Sequence, residues 1–298
     1  MVISAYDRER GVMTVEEMRQ HKWRVSWSGG KDSTATIILM RENNIPIERI
    51  VYVRMMFNEK IPATLPIMTE FVDKSIKRLK EWGYDVEIIK SQKTAFEISE
   101  QYYKKSRYKA SNGNKYGISG FARGACNFQK EKPKAINLIS EADYEMIGYA
   151  ADENDRIHRL GGGKQSIMVA LGIKEKQAFE ICRKYDMLSP LYDTGVGRDG
   201  CFFCPNAGKK EREILYRDYP GLAQEIYDMI SKTNVQVILR IQNRNNWIKD
   251  YLENNGELPR IEQVETSEKS NNIDGQMSIF DYPGMPYQFD NMTGSMNL

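Results

Sequence analysis

The sequence predicts an α/β fold: a parallel twisted sheet with helices on both faces, followed by a small helical C-terminal domain. Three observations predict it. Short apolar, β-branched runs alternate with segments of helical spacing, the pattern of a parallel sheet covered on both sides. One such run, residues 24–27, passes through a glycine turn directly into the apolar helical run 35–40. Beyond residue 205 the spacing is helical only.

Taken in order, residues 1–22 are a polar N-terminal extension in which Thr14-Val15-Glu16-Glu17 caps a short helix. The α/β domain spans 23–205. Ile50-Val51-Tyr52-Val53 suits a buried parallel strand. Residues 54–59, just after it, are expected at the carboxyl edge of the sheet, where α/β proteins bind ligands. Over 71–82 the helical spacing puts Phe71, Ile76, Leu79 and Trp82 on the core side, and Gly83 ends the helix. Residues 85–89 read as the next strand. Residues 144–149 read as another, ending at Ala150-Ala151-Asp152-Glu153. A helix is expected over 175–185, then a loop over 188–200 that delivers Cys201 and Cys204.

Residues 102–124 break the alternation. Lys105, Arg107, Lys109, Lys115 and Arg123 interleave there with Tyr102, Tyr103, Tyr108 and Tyr116, which reads either as a clamp for a nucleotide or nucleic acid or as a solvated lid. Helical segments at 209–217, 222–230 and 237–252 make up the C-terminal domain, 206–256. From 257 to 298 the composition turns to Asn, Ser, Gly, Pro and Met, and a flexible tail is expected.

Composition narrows the class. At 41% hydrophobic and 28% charged, the 298 residues have the make-up of a soluble globular protein. A net charge of +2 does not by itself argue for nucleic acid. No apolar run approaches a membrane span, and residues 1–20 lack the apolar core of a signal peptide, so the expected location is the cytoplasm with no membrane partner. In that reducing setting the four cysteines, Cys126, Cys182, Cys201 and Cys204, point to metal or redox chemistry before disulfides. Cys201 and Cys204 form a C-x-x-C, whose two thiolates can share one metal or cluster. Cys182, between Phe179 and Ile181 on its helix, reads as a small buried apolar residue or as a fourth ligand.

The richest stretch is 25–34. Gly29 and Gly30 remove Cβ atoms where the backbone bends and a ligand approaches. Ser33 and Thr34 stand at a helix start, where free N–H groups and the helix dipole favour an anion, and Lys31 adds a full positive charge. Together these describe a phosphate cradle. It is not a Walker A loop, which would need glycine where Val25 stands.

Ser28-Gly29-Gly30-Lys31-Asp32-Ser33 resembles the PP-loop of the ATP pyrophosphatase superfamily, whose fold is the adenine nucleotide alpha hydrolase-like one. The resemblance implies that residues 28–34 hold the pyrophosphate end of ATP or the phosphates of a sulfonucleotide. It also implies that Lys31, Asp32 and Ser33 act in catalysis, with Asp32 helping to hold Mg2+ or the loop itself. Four further segments follow in the order found in phosphoadenosine phosphosulfate (PAPS) reductase-like proteins: Cys126 with Lys130 and Pro133, the stretch from Gly148 to Arg156, Pro190-Leu191-Tyr192-Asp193, and Gly200-Cys201-Phe202-Phe203-Cys204-Pro205. The likeness covers about residues 23–220 and is greatest to the divergent members found on phages and mobile elements. Asp152, Glu153 and Arg156 then bind ribose, metal or substrate, or form a helix-capping cluster; both readings stand.

This chain departs from the reductases in three places. Ala125 replaces the first cysteine of their Cys-Cys pair, Ala150 stands where they carry an arginine, and no cysteine follows Cys204 to serve as the nucleophile. The three remaining cysteines resemble instead the set in PP-loop tRNA thiolation enzymes, where three thiolates hold a [4Fe-4S] cluster. By that resemblance Cys126, Cys201 and Cys204 are metal ligands, with zinc as the alternative. The function it implies is ATP-dependent adenylation coupled to sulfur transfer, to a nucleic acid or nucleotide acceptor. Two rival readings are a sulfonucleotide reductase that borrows a partner's thiol, and a non-catalytic nucleotide-binding factor of a mobile element. The latter draws on Gln276-Met277-Ser278-Ile279-Phe280, which resembles the pentapeptide that docks on bacterial sliding clamps. A homo-oligomer is left open.

Overall fold

Five strands form one sheet: β1 (Trp23–Trp27), β2 (Ile47–Arg54), β3 (Val86–Lys90), β4 (Glu145–Met146) and β5 (Lys164–Gln165). Their order is β3-β2-β1-β4-β5, and every neighbouring pair is parallel. The computed structural model describes residues 11–98, 131–137, 144–161, 163–196, 200–231 and 246–261. Residues up to Ile261 belong to one compact unit.

The strand period of two assigns the faces. Val25, Trp27, Ile50 and Tyr52 enter the main core together with α2 (Lys31–Glu42), α3 (Pro66–Glu81), α6 (Ile167–Leu171) and α7 (Glu175–Lys184). Val51 and Val53 point the other way, onto Ala135 and Ile136 of α4 (Glu131–Asn137). Helices therefore cover both faces, as the alternating pattern predicts. Ahead of the sheet, Thr14 and Glu17 complete a reciprocal capping box on α1 (Val15–Met18). Helix α2 is buried over most of its length, from Ser33 to Met40, so it sits as a central layer. In α3, Pro66 stands in the first turn, where its missing N–H costs nothing; Met68, Phe71, Val72 and Leu79 are buried, and Ile76 and Trp82 pack partly buried beside them.

A second core lies under α8 (Lys209–Asp218), α9 (Pro220–Ser231) and α10 (Asn246–Glu253). It includes Phe57, Ile61 and Ala63 from the segment that follows β2, and Phe202 and Phe203 from the C-x-x-C turn. Leu258 and Ile261, past the point where the composition changes, are partly buried against it.

Three local features differ from the pattern-based expectation. The run 144–149 is a strand only at Glu145–Met146, because the chain leaves the sheet at Gly148 to meet the start of α2. Strand β5 and helix α6 are too short for a periodic signal. A 3-10 turn, Pro190–Thr194, interrupts what reads as loop. Residues 237–245, the first part of the third predicted C-terminal helix, lie outside the described residues. Among the described residues no helix is long and apolar enough to cross a membrane.

Candidate functional site

Strand order reverses between β1 and β4: the chain goes from β1 outward to β3, then returns to the other side of β1. In open α/β sheets the crevice at the carboxyl ends of such a strand pair is where ligands bind. The segment 28–33 follows β1, and the segment 147–153 follows β4, so both line that crevice. Gly29 has φ +80, and a Cβ there would stand 2.7 Å from Met68 Cε and 2.8 Å from Val72 Cγ2. Glycine therefore serves both the bend and the packing on α3. The Ser28 N–H donates to Ser33 Oγ (3.1 Å), the two serine hydroxyls pair at 3.0 Å, and Ser33 Oγ donates to the Gly30 carbonyl (3.1 Å). Thr34 Oγ1 accepts from the buried indole of Trp27 (3.0 Å), tying the helix start to β1. Gly148 closes the other wall, directly against the Asp32–Ser33 backbone.

Lys31 is the most constrained of these residues. Its side chain is 7% exposed, and its ammonium lies 2.8 Å from Glu175 Oε1 and 3.0 Å from Asp32 Oδ2. Burial alone would lower its pKa; the bonds to Glu175 and Asp32 outweigh this and hold it above the ordinary lysine value. Asp32 goes the other way from a paired carboxylate. Burial raises its pKa more than Lys31 lowers it, and the nearby charges of Glu153 and Glu175 raise it further. Its Oδ1 is buried and has no hydrogen-bond partner among the described residues.

A carboxyl whose pKa is raised on folding costs stability when ionised. That cost is complete above the folded pKa and vanishes below the unfolded value, about 3.9. Asp32→Asn is therefore expected to raise Tm at pH 7, by about 2–4 °C for each kcal/mol relieved, and to lose this advantage as the pH falls through about 4. Thermal melts at the two pH values check it. A more stable variant with less activity marks a group kept for function.

The trio after β4 is held locally. Asp152 Oδ1 accepts from the Glu175 N–H (3.0 Å), fixing the start of α7. Glu153 accepts from the Ala150 N–H (3.0 Å) and from Arg156 (2.7 Å), at the head of α5 (Asn154–Ile157). The Arg156 guanidinium lies 4.2 Å from the Tyr149 ring centroid.

Cys201 and Cys204 share one turn, in which the Cys204 N–H donates to the Cys201 carbonyl (3.1 Å). Neither is in a disulfide. The turn docks on the segment after β2: the Phe202 N–H donates to the Ala63 carbonyl (2.9 Å), and Phe57 contacts both Phe202 and Phe203 with centroids 5.1 Å apart. The cysteines thus stand at the same carboxyl edge of the sheet as residues 28–34. Cys201 lines a cleft open to solvent with Leu65, Leu191, Phe202 and Ile214. The 3-10 turn joins the two places: Leu191 faces this cleft, while the hydroxyl of Tyr192 is 3.5 Å from the Lys31 N–H.

As a metal centre this turn offers two thiols at the right spacing, which fits half of a tetrahedral thiolate site. Among the described residues no three His, Cys, Asp or Glu side chains gather as a metal site. Cys126, the third predicted ligand, lies outside the described residues, as do the 102–124 segment and Gln276–Phe280. Cys182 is elsewhere: fully buried under α2, its thiol donates to the Lys31 carbonyl (3.2 Å). Burial and the Asp32 charge push its pKa up to about 12, so it stays a thiol.

Nothing local in the sequence marks Glu175 as a partner of Lys31. It lies 144 residues after Lys31, and only its place at a helix start beside the Asp152 segment could have drawn notice.

No family model matches the sequence, and no curated protein matches it. Among solved structures the chain is similar to the U34-tRNA thiolase NcsA from Methanococcus maripaludis with its [4Fe-4S] cluster. The identity is 14%, the match covers 74% of this chain and 75% of that one, and the TM-score is 0.37.

Proposed function

We propose that this protein is a PAPS reductase-like PP-loop enzyme that uses ATP to adenylate its acceptor and then replaces AMP by sulfur. The observation that carries the reading is the placement of the glycine loop at the strand-order reversal, on the same sheet edge as the C-x-x-C turn. In the first step an acceptor carbonyl-type oxygen attacks the α-phosphorus of ATP, the bond to the β-phosphate oxygen breaks, and pyrophosphate leaves. In the second, a sulfur nucleophile attacks the activated carbon, the carbon–oxygen bond breaks, and AMP leaves with that oxygen. Residues 28–34 bind the departing pyrophosphate: Ser28 and Ser33 offer hydroxyls, the first turn of α2 offers N–H groups, and Lys31 supplies charge. Mg2+ enters with the nucleotide. A cluster on Cys126, Cys201 and Cys204 would supply sulfur at this edge.

The acceptor class is a nucleic acid or a nucleotide, a reading that draws on the basic, aromatic 102–124 segment. The test is release of AMP and pyrophosphate from ATP by anaerobically prepared protein, alongside metal analysis and electron paramagnetic resonance. Lys31→Ala is expected to cut pyrophosphate release by about a hundredfold or more while circular dichroism stays native. Sulfite release from phosphoadenosine phosphosulfate without ATP turnover would replace this reading with a reductase. Zinc at two or three thiols would remove the cluster from it.

A further inference from the structure

Both groups through which Lys31 would meet a phosphate are already taken. Its N–H faces the Tyr192 hydroxyl at 3.5 Å, and its ammonium is bound by Glu175 at 2.8 Å and Asp32 at 3.0 Å. The ammonium also lies 5.2 Å from the Phe179 ring centroid and 5.8 Å from that of Tyr192, a box that favours a cation staying in place. Of the partners, Asp32 is fixed by adjacency. Glu175 is not: its backbone is pinned by Asp152, but its side chain is 53% exposed and can swing into solvent. Tyr192 sits on a five-residue 3-10 turn that ends at Gly195, at φ +75.

We propose that Glu175 and Tyr192 hold this site occluded until a ligand arrives: the Glu175 carboxylate occupies the place of a terminal phosphate on Lys31, and a ligand that uses Lys31 must first displace it. This rests on the reading of residues 28–34 as a polyphosphate site. A pyrophosphate or triphosphate end brings several charges to one lysine, against one for a carboxylate, and so wins the exchange. AMP, which has no phosphate beyond the α one to set on Lys31, leaves the Lys31–Glu175 pair in place.

Isothermal titration of ATP, inorganic pyrophosphate and AMP into the full-length protein and its variants tests this. Glu175→Gln keeps the shape and removes the competing charge. It is expected to tighten ATP and pyrophosphate binding on the order of five- to tenfold, to leave AMP within about twofold, and to lose its gain entirely in a Lys31→Ala background. Tyr192→Phe is expected to act in the same direction with a smaller gain. Equal tightening of AMP, a gain that survives Lys31→Ala, or weaker ATP binding in Glu175→Gln overturns the proposal while leaving the polyphosphate site standing. Failure of both the wild type and Glu175→Gln to bind either ATP or pyrophosphate removes that site and the proposal together.

Discussion

Alanine at position 148 is expected to displace the phosphate cradle and to lower both Tm and ATP affinity. A Cβ built on Gly148 lies 2.6 Å from the Ser33 nitrogen, 2.7 Å from the Asp32 carbonyl carbon and 2.8 Å from Ser33 Cα. All three are backbone atoms, so no side-chain rotation can make room. Either the first turn of α2 moves off β4, or residues 147–150 move off the sheet. Overpacking of this kind costs about 1–3 kcal/mol. The larger consequence is positional, because a displacement near 1 Å in a binding loop is worth up to about a hundredfold in rate. We expect ATP affinity to fall at least about tenfold and pyrophosphate release further. Gly221→Ala is the control: nothing lies within 4 Å of a Cβ there, and the residue is helical, so alanine is expected to be neutral or to stabilise by about 0.5–1 kcal/mol. Wild-type melting and ATP binding in Gly148→Ala would show that the two loops do not meet so closely.

Much of this site was legible in the sequence, and the reasons divide cleanly. Strand β1, the glycine bend and helix α2 are contiguous, so local residue types specify them without help from the rest of the chain. Helices α3, α7, α8 and α9 are long enough for apolar spacing to show. What pattern could not show is what contiguity does not carry. Strand β5 has two residues, and its Gln165 is fully buried; it is satisfied by the carbonyl of Gly11 and the N–H of Met13, more than 150 positions away. Helix α6 has five residues, between a Ser166 cap and a left-handed Gly172. In the sequence Lys31 reads as a free cation awaiting an anion. In the structure its nearest anion is Glu175, which arrives only because α7 packs along α2. Gly148 reads as part of the strand run 144–149, although its missing side chain is what lets β4 approach the cradle. In each case a pairing distant in sequence overrides a locally reasonable assignment.

Trp247→Ala is expected to be among the most destabilising single substitutions, and the loss should reach the cysteines. Trp247 is fully buried in the second core, edge-on to Tyr216 at a centroid distance of 5.5 Å. Truncating a buried tryptophan costs about 3–5 kcal/mol, and in a chain of this size each kcal/mol is worth about 2–4 °C of Tm. Its indole N–H also donates to the Cys204 carbonyl (2.8 Å), and its neighbour Asn246 donates to the Pro205 carbonyl (3.3 Å) and the Ala207 carbonyl (2.8 Å). Arg212 reaches the same Ala207 carbonyl (2.7 Å) and is itself held by Asp250 (2.6 Å), which also accepts from Tyr216 (2.5 Å). The C-x-x-C turn therefore hangs from α10 and α8 by its carbonyls. Trp247→Phe separates the two contributions. It keeps most of the packing and removes one hydrogen bond, worth about 1 kcal/mol. Melting temperatures are expected in the order wild type, Phe, Ala. Thiol labelling followed peptide by peptide should show Cys204, 6% exposed in the native protein, reacting faster in both variants. If Trp247→Phe matches the wild type in melting and in Cys204 labelling, the indole bond does not hold the turn, and packing alone positions these sulfurs.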